Sequence, residues 1–163
     1  MDKLNKEANC CKVFDPAQWN DKMHTWENKM FIRGTMPQIL HFPFPGMIRR
    51  IMNKLWKLAA EAKAETKQED FLMLTYDLSP WKCEFYMSVT RSVPGADNVS
   101  LSGTYFTKVF DGPYSRVPQY INEMDIFLTQ NDMLAKKYYF HEAACPFCDR
   151  RYLVNNIVVF AEI

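Results

Sequence analysis

The chain has 163 residues, with 20 Lys and Arg against 19 Asp and Glu and a formal net charge of +1. A charge this close to zero argues against a non-specific nucleic-acid binder, which needs a basic stripe. No apolar run approaches the roughly 20 residues of a membrane helix. The N-terminus has no apolar segment behind its lysines and is not a signal peptide. We therefore expect a cytoplasmic protein with neither a nucleic-acid nor a membrane partner.

The first predicted elements are an extension, a strand, a helix and two further strands. Residues 1–27 are polar and without periodicity, which indicates an N-terminal extension packed on the domain. Residues 27–41 have strand composition, and apolar residues three and four apart predict an amphipathic helix over 47–64. Residues 71–78 and 82–90 have the composition of two further strands.

A second set of elements follows in the same order. Residues 91–100 are rich in turn-forming types and indicate a linker. A strand is predicted over 101–110, and a helix follows that Ser115 can cap. Two more strands are predicted over 136–144 and 155–163.

This repetition predicts the fold class, because internal repeats determine architecture. We expect an α+β protein built as a tandem βαββ repeat with pseudo-two-fold symmetry. Its antiparallel sheet would carry the helices on one face, with a ligand cleft between the halves. The domain would span 28–163, with 28–91 as the first half and 101–163 as the second.

The aromatic content is high: 12 Phe, 8 Tyr and 4 Trp make up 15% of the chain. A large core would explain this content. A pocket lined by rings would explain it equally, because small-molecule sites are mostly apolar and aromatic. Composition alone does not decide between the two.

The turn before the second predicted helix carries a family resemblance. Gly103-Thr104-Tyr105 is followed by Val109-Phe110-Asp111-Gly112-Pro113-Tyr114 and then by the helix. This arrangement resembles the second half of the GyrI-like small-molecule-binding domain, the bacterial transcription-activator effector-binding fold that is related to the SOUL haem-binding proteins. The segments Cys10-Cys11 and Cys145-Pro146-Phe147-Cys148 resemble those of a stand-alone subgroup that is often labelled hydrolase.

The resemblance implies a tandem βαββ fold with a cleft that takes hydrophobic, often cationic, aromatic molecules. A buried acid in that cleft typically balances the positive charge of the ligand. Some relatives instead resemble hydrolases that open strained rings, using the same acid with aromatic neighbours.

Glu84 is the candidate for this acid. Two-residue alternation places Glu84, Tyr86 and Ser88 on one face of the last strand of the first half, and apolar residues on the other. In an apolar site the pKa of a glutamate rises, which suits proton transfer or a cation site. The alternative is an ordinary glutamate on an exposed strand face.

Four rings are candidate ligand contacts beside Glu84, because rings attract a desolvated cation. The alternative for each ring is packing in the core. The four are Trp81, Tyr86, Tyr105 and Tyr139.

Four cysteines are candidate ligands of a structural zinc ion. Cys145 and Cys148 have the spacing that supplies two thiolates to a tetrahedral metal, and Cys10 and Cys11 would supply two more. The alternative is that they are reduced thiols without metal, which a cytoplasmic protein favours. Cys83 has the setting of a thiol in the core.

Two functions follow from these residues. In the first, the chain is a binding protein, monomeric or homodimeric, that takes a small hydrophobic or cationic aromatic molecule with Glu84 as counter-ion. In the second it is a hydrolase, in which Glu84 activates water and the Tyr86 hydroxyl polarises a strained or electrophilic substrate. A protein that binds a partner and whose cleft is occluded is a third possibility.

Overall fold

The structure is a computed structural model that describes residues 14–142 and 156–163. Two α-helices and seven strands are formed in this part of the chain, with three short 3-10 turns between them. Neither helix is long and apolar enough to cross a membrane. The strands are β1 (Lys22–Ile39), β2 (Phe42–Pro43), β3 (Met73–Ser79), β4 (Lys82–Ser88), β5 (Asp97–Asp111), β6 (Lys137–Glu142) and β7 (Asn156–Glu162), and the helices are α1 (Met47–Glu61) and α2 (Val117–Gln130).

The chain divides into two compact units. The first unit comprises Thr25–Thr104, in which β4 pairs antiparallel with β1 on one side and with β3 on the other. The second unit comprises Tyr105–Ile163 and the N-terminal residues up to His24, and in it β7 pairs antiparallel with both β5 and β6. Each unit is therefore a βαββ motif with the same internal strand order. The α+β class and the tandem βαββ repeat are confirmed.

In the first unit, α1 packs against one face of the sheet. Leu55 and Ala59 of the helix are buried together with Ile32, Phe85 and Met87 of the strands. Gly34 makes this packing possible, because a Cβ built at this position would lie 2.8 Å from Cγ2 of Ile51. A side chain here would separate the helix from the sheet.

In the second unit, α2 packs on its sheet in the same way. Tyr120, Met124 and Leu128 of the helix are buried with Phe106 and Val159 of the strands. In both units, every second residue of the strands therefore faces the helix. The residues between them lie on the opposite face of the sheet.

Several element boundaries differ from the prediction. Strand β1 begins at Lys22, inside the segment predicted to be irregular. Helix α1 ends at Glu61 and not at residue 64, because Lys63 has a left-handed backbone (φ 50°) and the N–H of Ala64 donates to the carbonyl of Ala59.

The second half differs from the prediction at two points. Strand β5 begins at Asp97, within the predicted linker. Ser115 does not cap α2. It lies in a 3-10 turn over Tyr114–Arg116, and the helix begins at the next residue, Val117. The domain boundaries at 28–91 and 101–163 stay predictions.

Candidate functional site

The candidate site lies on the sheet face of the first unit that points away from α1. Strand register places Glu84 opposite Thr35 of β1, and Tyr86 opposite Arg33. The intervening residues of β4 point into the helix-packed core, as the alternation predicts. Glu84 and Tyr86 therefore share a face with Arg33, which comes from a different strand.

Glu84 is buried, with 7% of its surface exposed. The hydroxyl of Tyr86 donates a hydrogen bond of 2.5 Å to Oε2 of Glu84. A hydrogen bond to a charged group is shorter and stronger than one between neutral groups. Burial of this carboxylate is therefore compensated by a donor on the same strand, as buried charges require.

Arg33 supplies the positive charge of the cluster. Its Nη1 lies 3.7 Å from Oε1 of Glu84, and its Nε donates to Oδ2 of Asp97 at 2.8 Å. Asp97 begins β5 and is more exposed than Glu84. The hydrogen bond to Asp97 is the largest of the influences that raise the pKa of Arg33, while partial burial opposes it. The guanidinium therefore bridges one buried and one exposed carboxylate.

The phenol of Tyr86 is held in its protonated form. Burial is the main cause that raises the pKa of Tyr86 to about 12, and the hydrogen bond to Glu84 acts in the same direction. Arg33 opposes this shift. At neutral pH Tyr86 is therefore a proton donor in direct contact with the side chain of Glu84.

Both apolar and polar side chains adjoin the cluster on this face. The rings of Phe31 and Tyr86 lie edge to face, with centroids 6.4 Å apart. Leu74, opposite Tyr86 on β3, is fully buried. Ser88 is also buried, and its hydroxyl accepts a hydrogen bond from the N–H of Leu72. Ser88 therefore joins β4 to the residue that precedes β3, a structural role.

The second unit has a different set of residues on the face away from its helix. Tyr105 and Tyr139 are both buried there, with ring centroids 6.3 Å apart. Burial raises the pKa of Tyr105 to about 12, with Glu162 adding to the effect. The hydroxyl of Thr107 donates to the carbonyl of Trp19, so Trp19 packs against this face.

The remaining predicted site residues lie elsewhere. Trp81 lies in the turn between β3 and β4 with 61% of its surface exposed. Cys10, Cys11, Cys145 and Cys148 lie outside the described residues, and the zinc site stays a prediction. Cys83 is buried in the core, where burial raises the pKa of its thiol to about 12.

Arg33 is the member of the cluster that the sequence reasoning missed. Its alignment with Tyr86 depends on the register between β1 and β4, which no local pattern reveals. A usable signal was that Arg33 is the one Asp, Glu, Lys or Arg among residues 30–41 of the predicted strand, because a partly buried charge usually has a partner.

Comparison with known proteins shows the family of the chain and a likeness in fold. The sequence model of a family described as bacterial hydrolase matches residues 1–163. The chain belongs to the bacterial hydrolase family. No curated protein matches the chain. The crystal structure of a hydrolase from Listeria innocua aligns with a TM-score of 0.55 and 8% identity, covering 88% of this chain and 92% of that one. At this identity the likeness shows the fold alone.

Proposed function

We propose that this member of the bacterial hydrolase family adds water to a strained or electrophilic small molecule at Glu84. The observation that carries the proposal is the contact between a buried carboxylate and a protonated phenol, with a guanidinium beside them. These groups are a proton acceptor, a proton donor and a positive charge, which are the parts that hydrolysis without a covalent intermediate needs.

The chemical step can be written for a three-membered cyclic ether. Glu84 takes a proton from water as the water oxygen bonds to a ring carbon. The carbon–oxygen bond of the ring breaks, its electron pair stays on the ring oxygen, and Tyr86 donates its proton there. The proton on Glu84 then returns to the phenolate across their hydrogen bond of 2.5 Å, which restores the site. The net change is the addition of one water molecule.

Arg33 has two roles in this scheme. Its guanidinium attracts the negative charge that develops on the ring oxygen. Its ion pair with Asp97 holds the side chain in place, because one carboxylate anchors Nε while Nη1 stays near Glu84. Because Glu84 already faces a positive charge, the site needs no cationic ligand. This favours a neutral substrate over the cationic aromatic molecule that the family resemblance implies.

A binding protein without catalysis is the second candidate. The edge-to-face rings of Phe31 and Tyr86 favour it, because aromatic walls are typical of small-molecule sites. Kinship with the GyrI-like domain is part of this second proposal, and the repeated βαββ motif supports it. The roles of Trp81, Tyr105 and Tyr139 as ligand contacts stay predictions within it.

The test measures conversion of styrene oxide to its diol by the purified protein. Glu84→Gln keeps the size of the side chain but removes the base, and we expect turnover to fall about 10²–10⁴-fold. Tyr86→Phe removes the donor, and its effect should be of the same order. Glu61→Gln is the matched control, because Glu61 is exposed at the end of α1.

Equal turnover in Glu84→Gln and Glu61→Gln would contradict the hydrolase proposal. Binding of styrene oxide or of ethidium without any product would favour the second candidate. A thermal melt of each variant confirms that it is folded before its activity is compared.

A further inference from the structure

Two adjacent turns of the first unit expose a group of large apolar side chains. The turn between β1 and β2 lies beside the turn between β3 and β4. The N–H of His41 donates to the carbonyl of Pro80, and that of Gln38 to the carbonyl of Trp81. We call the exposed apolar residues of these turns and their flanks the apolar tip: Ile39, Leu40, Phe42, Phe44, Leu78 and Trp81.

The apolar tip concentrates exposed hydrophobic surface. Within residues 14–142 and 156–163, it holds six of the twelve large apolar side chains that are exposed. Phe42 has 76% of its surface exposed and Trp81 has 61%. Single exposed apolar residues are normal, whereas a contiguous patch marks a contact with another surface.

The backbone of the tip is strained. Leu40 and His41 both have left-handed backbones, with φ of 49° and 68°. A two-residue hairpin turn of this type favours Asn and Gly, because bulkier residues strain in that region. A leucine therefore occupies the turn at a conformational cost, with its side chain exposed. Strain of this kind accumulates at functional sites.

In the segment that carries four of the six tip residues, every Asp, Glu, Lys or Arg is a positive residue. Residues 28–60 contain no Asp or Glu and six Lys or Arg. Arg49 and Arg50 are exposed in the first turn of α1, just after Phe44. Cations at a helix N-terminus are unfavourable, because that end of the helix dipole is positive. Asp77, near the tip, is already bonded to His41 and to Gln38.

We propose that the apolar tip docks on an anionic lipid surface. Exposed Trp and Phe insert into the interface of a bilayer, and neighbouring arginines bind its anionic headgroups. A second copy of the chain fits less well, because pairing two such tips would bring like charges together. This inference does not depend on the proposed hydrolysis, and it departs from the sequence-based expectation of no membrane partner.

The test is flotation of the purified protein with vesicles of phosphatidylcholine and phosphatidylglycerol, and with vesicles of phosphatidylcholine alone. We expect binding to the anionic vesicles only, weakening as salt is added because salt screens surface charge. Arg49→Gln with Arg50→Gln should lower the partition coefficient about 30-fold. Phe42→Ser with Trp81→Ser should lower it at least about tenfold.

Two matched controls separate docking from a general effect of substitution. Leu134→Ser removes an apolar side chain that is 78% exposed in the second unit. Lys67→Gln with Arg91→Gln removes two exposed charges beyond the C-terminal end of α1. Both controls should bind as the unsubstituted protein does.

Three results would overturn the proposal. One is the absence of binding to the anionic vesicles. Another is equal binding to both kinds of vesicle, which would remove the role of the arginines. The third is a dimer in solution that Phe42→Ser with Trp81→Ser dissociates, because a second copy would then cover the tip.

Discussion

The absence of a side chain at Gly34 lets α1 pack closely on one face of β1, while the candidate site lies on the other face. Arg33 points to the candidate site, while the Cα of Gly34 faces α1. Replacing Gly34 by Ala would place a methyl group 2.8 Å from Cγ2 of Ile51 and 3.3 Å from Cδ1 of Leu55. Optimal contacts between carbon atoms are about 3.5–4.0 Å, so the helix or its side chains must shift by several tenths of an ångström.

Overpacking of this kind costs about 1–3 kcal/mol. For a chain of this length the cost corresponds to a fall of about 2–12 °C in Tm. Urea unfolding of Gly34→Ala, Ile51→Ala and the double variant measures it. Ile51→Ala removes the clashing methyl group. The double variant should therefore lose less free energy of unfolding than the two single variants lose together. Additive effects would refute this account of the packing of α1.

Three further predictions concern single side chains. The folded-state pKa of Tyr86 is raised to about 12, so the free energy of unfolding should fall as pH rises from about 10 to about 12. The fall should be smaller in Tyr86→Phe, and an equal dependence of the free energy of unfolding on pH in that variant would contradict the shift. Iodoacetamide should leave Cys83 unlabelled until the protein unfolds, since burial raises its pKa to about 12; peptide mass spectrometry tests this, and labelling of the folded protein would disprove it. Leu40→Asn should raise the free energy of unfolding in urea by about 0.5–1 kcal/mol, since Asn tolerates the left-handed backbone better; a loss of stability would show that the turn is not strained.

Local periodicity predicted much of the fold. The alternation along β4 separates Glu84 and Tyr86 from the core residues because successive side chains of a strand point to opposite faces. The apolar spacing predicted α1 and its start at Met47. Its end was wrong because the left-handed Lys63 stops the helix, and such a conformation has no clear signal in a lysine.

Only part of the candidate site could be predicted from the sequence. Glu84 and Tyr86 are two residues apart on one strand, so their proximity follows from the chain itself. Arg33 and Asp97 lie far from Glu84 in sequence and meet it only through strand register and the path of the chain into β5. Register is determined by the packing of the whole sheet, which a single sequence does not display.

Activation of water by Glu84 is the step on which the proposed hydrolysis depends. A single turnover of styrene oxide in heavy-oxygen water, with protein in excess, tests it most directly. We expect the diol formed in this turnover to carry the heavy oxygen, because water attacks the ring carbon itself. A diol without the heavy oxygen would show that a carboxylate oxygen attacks instead, and would contradict the role assigned to Glu84.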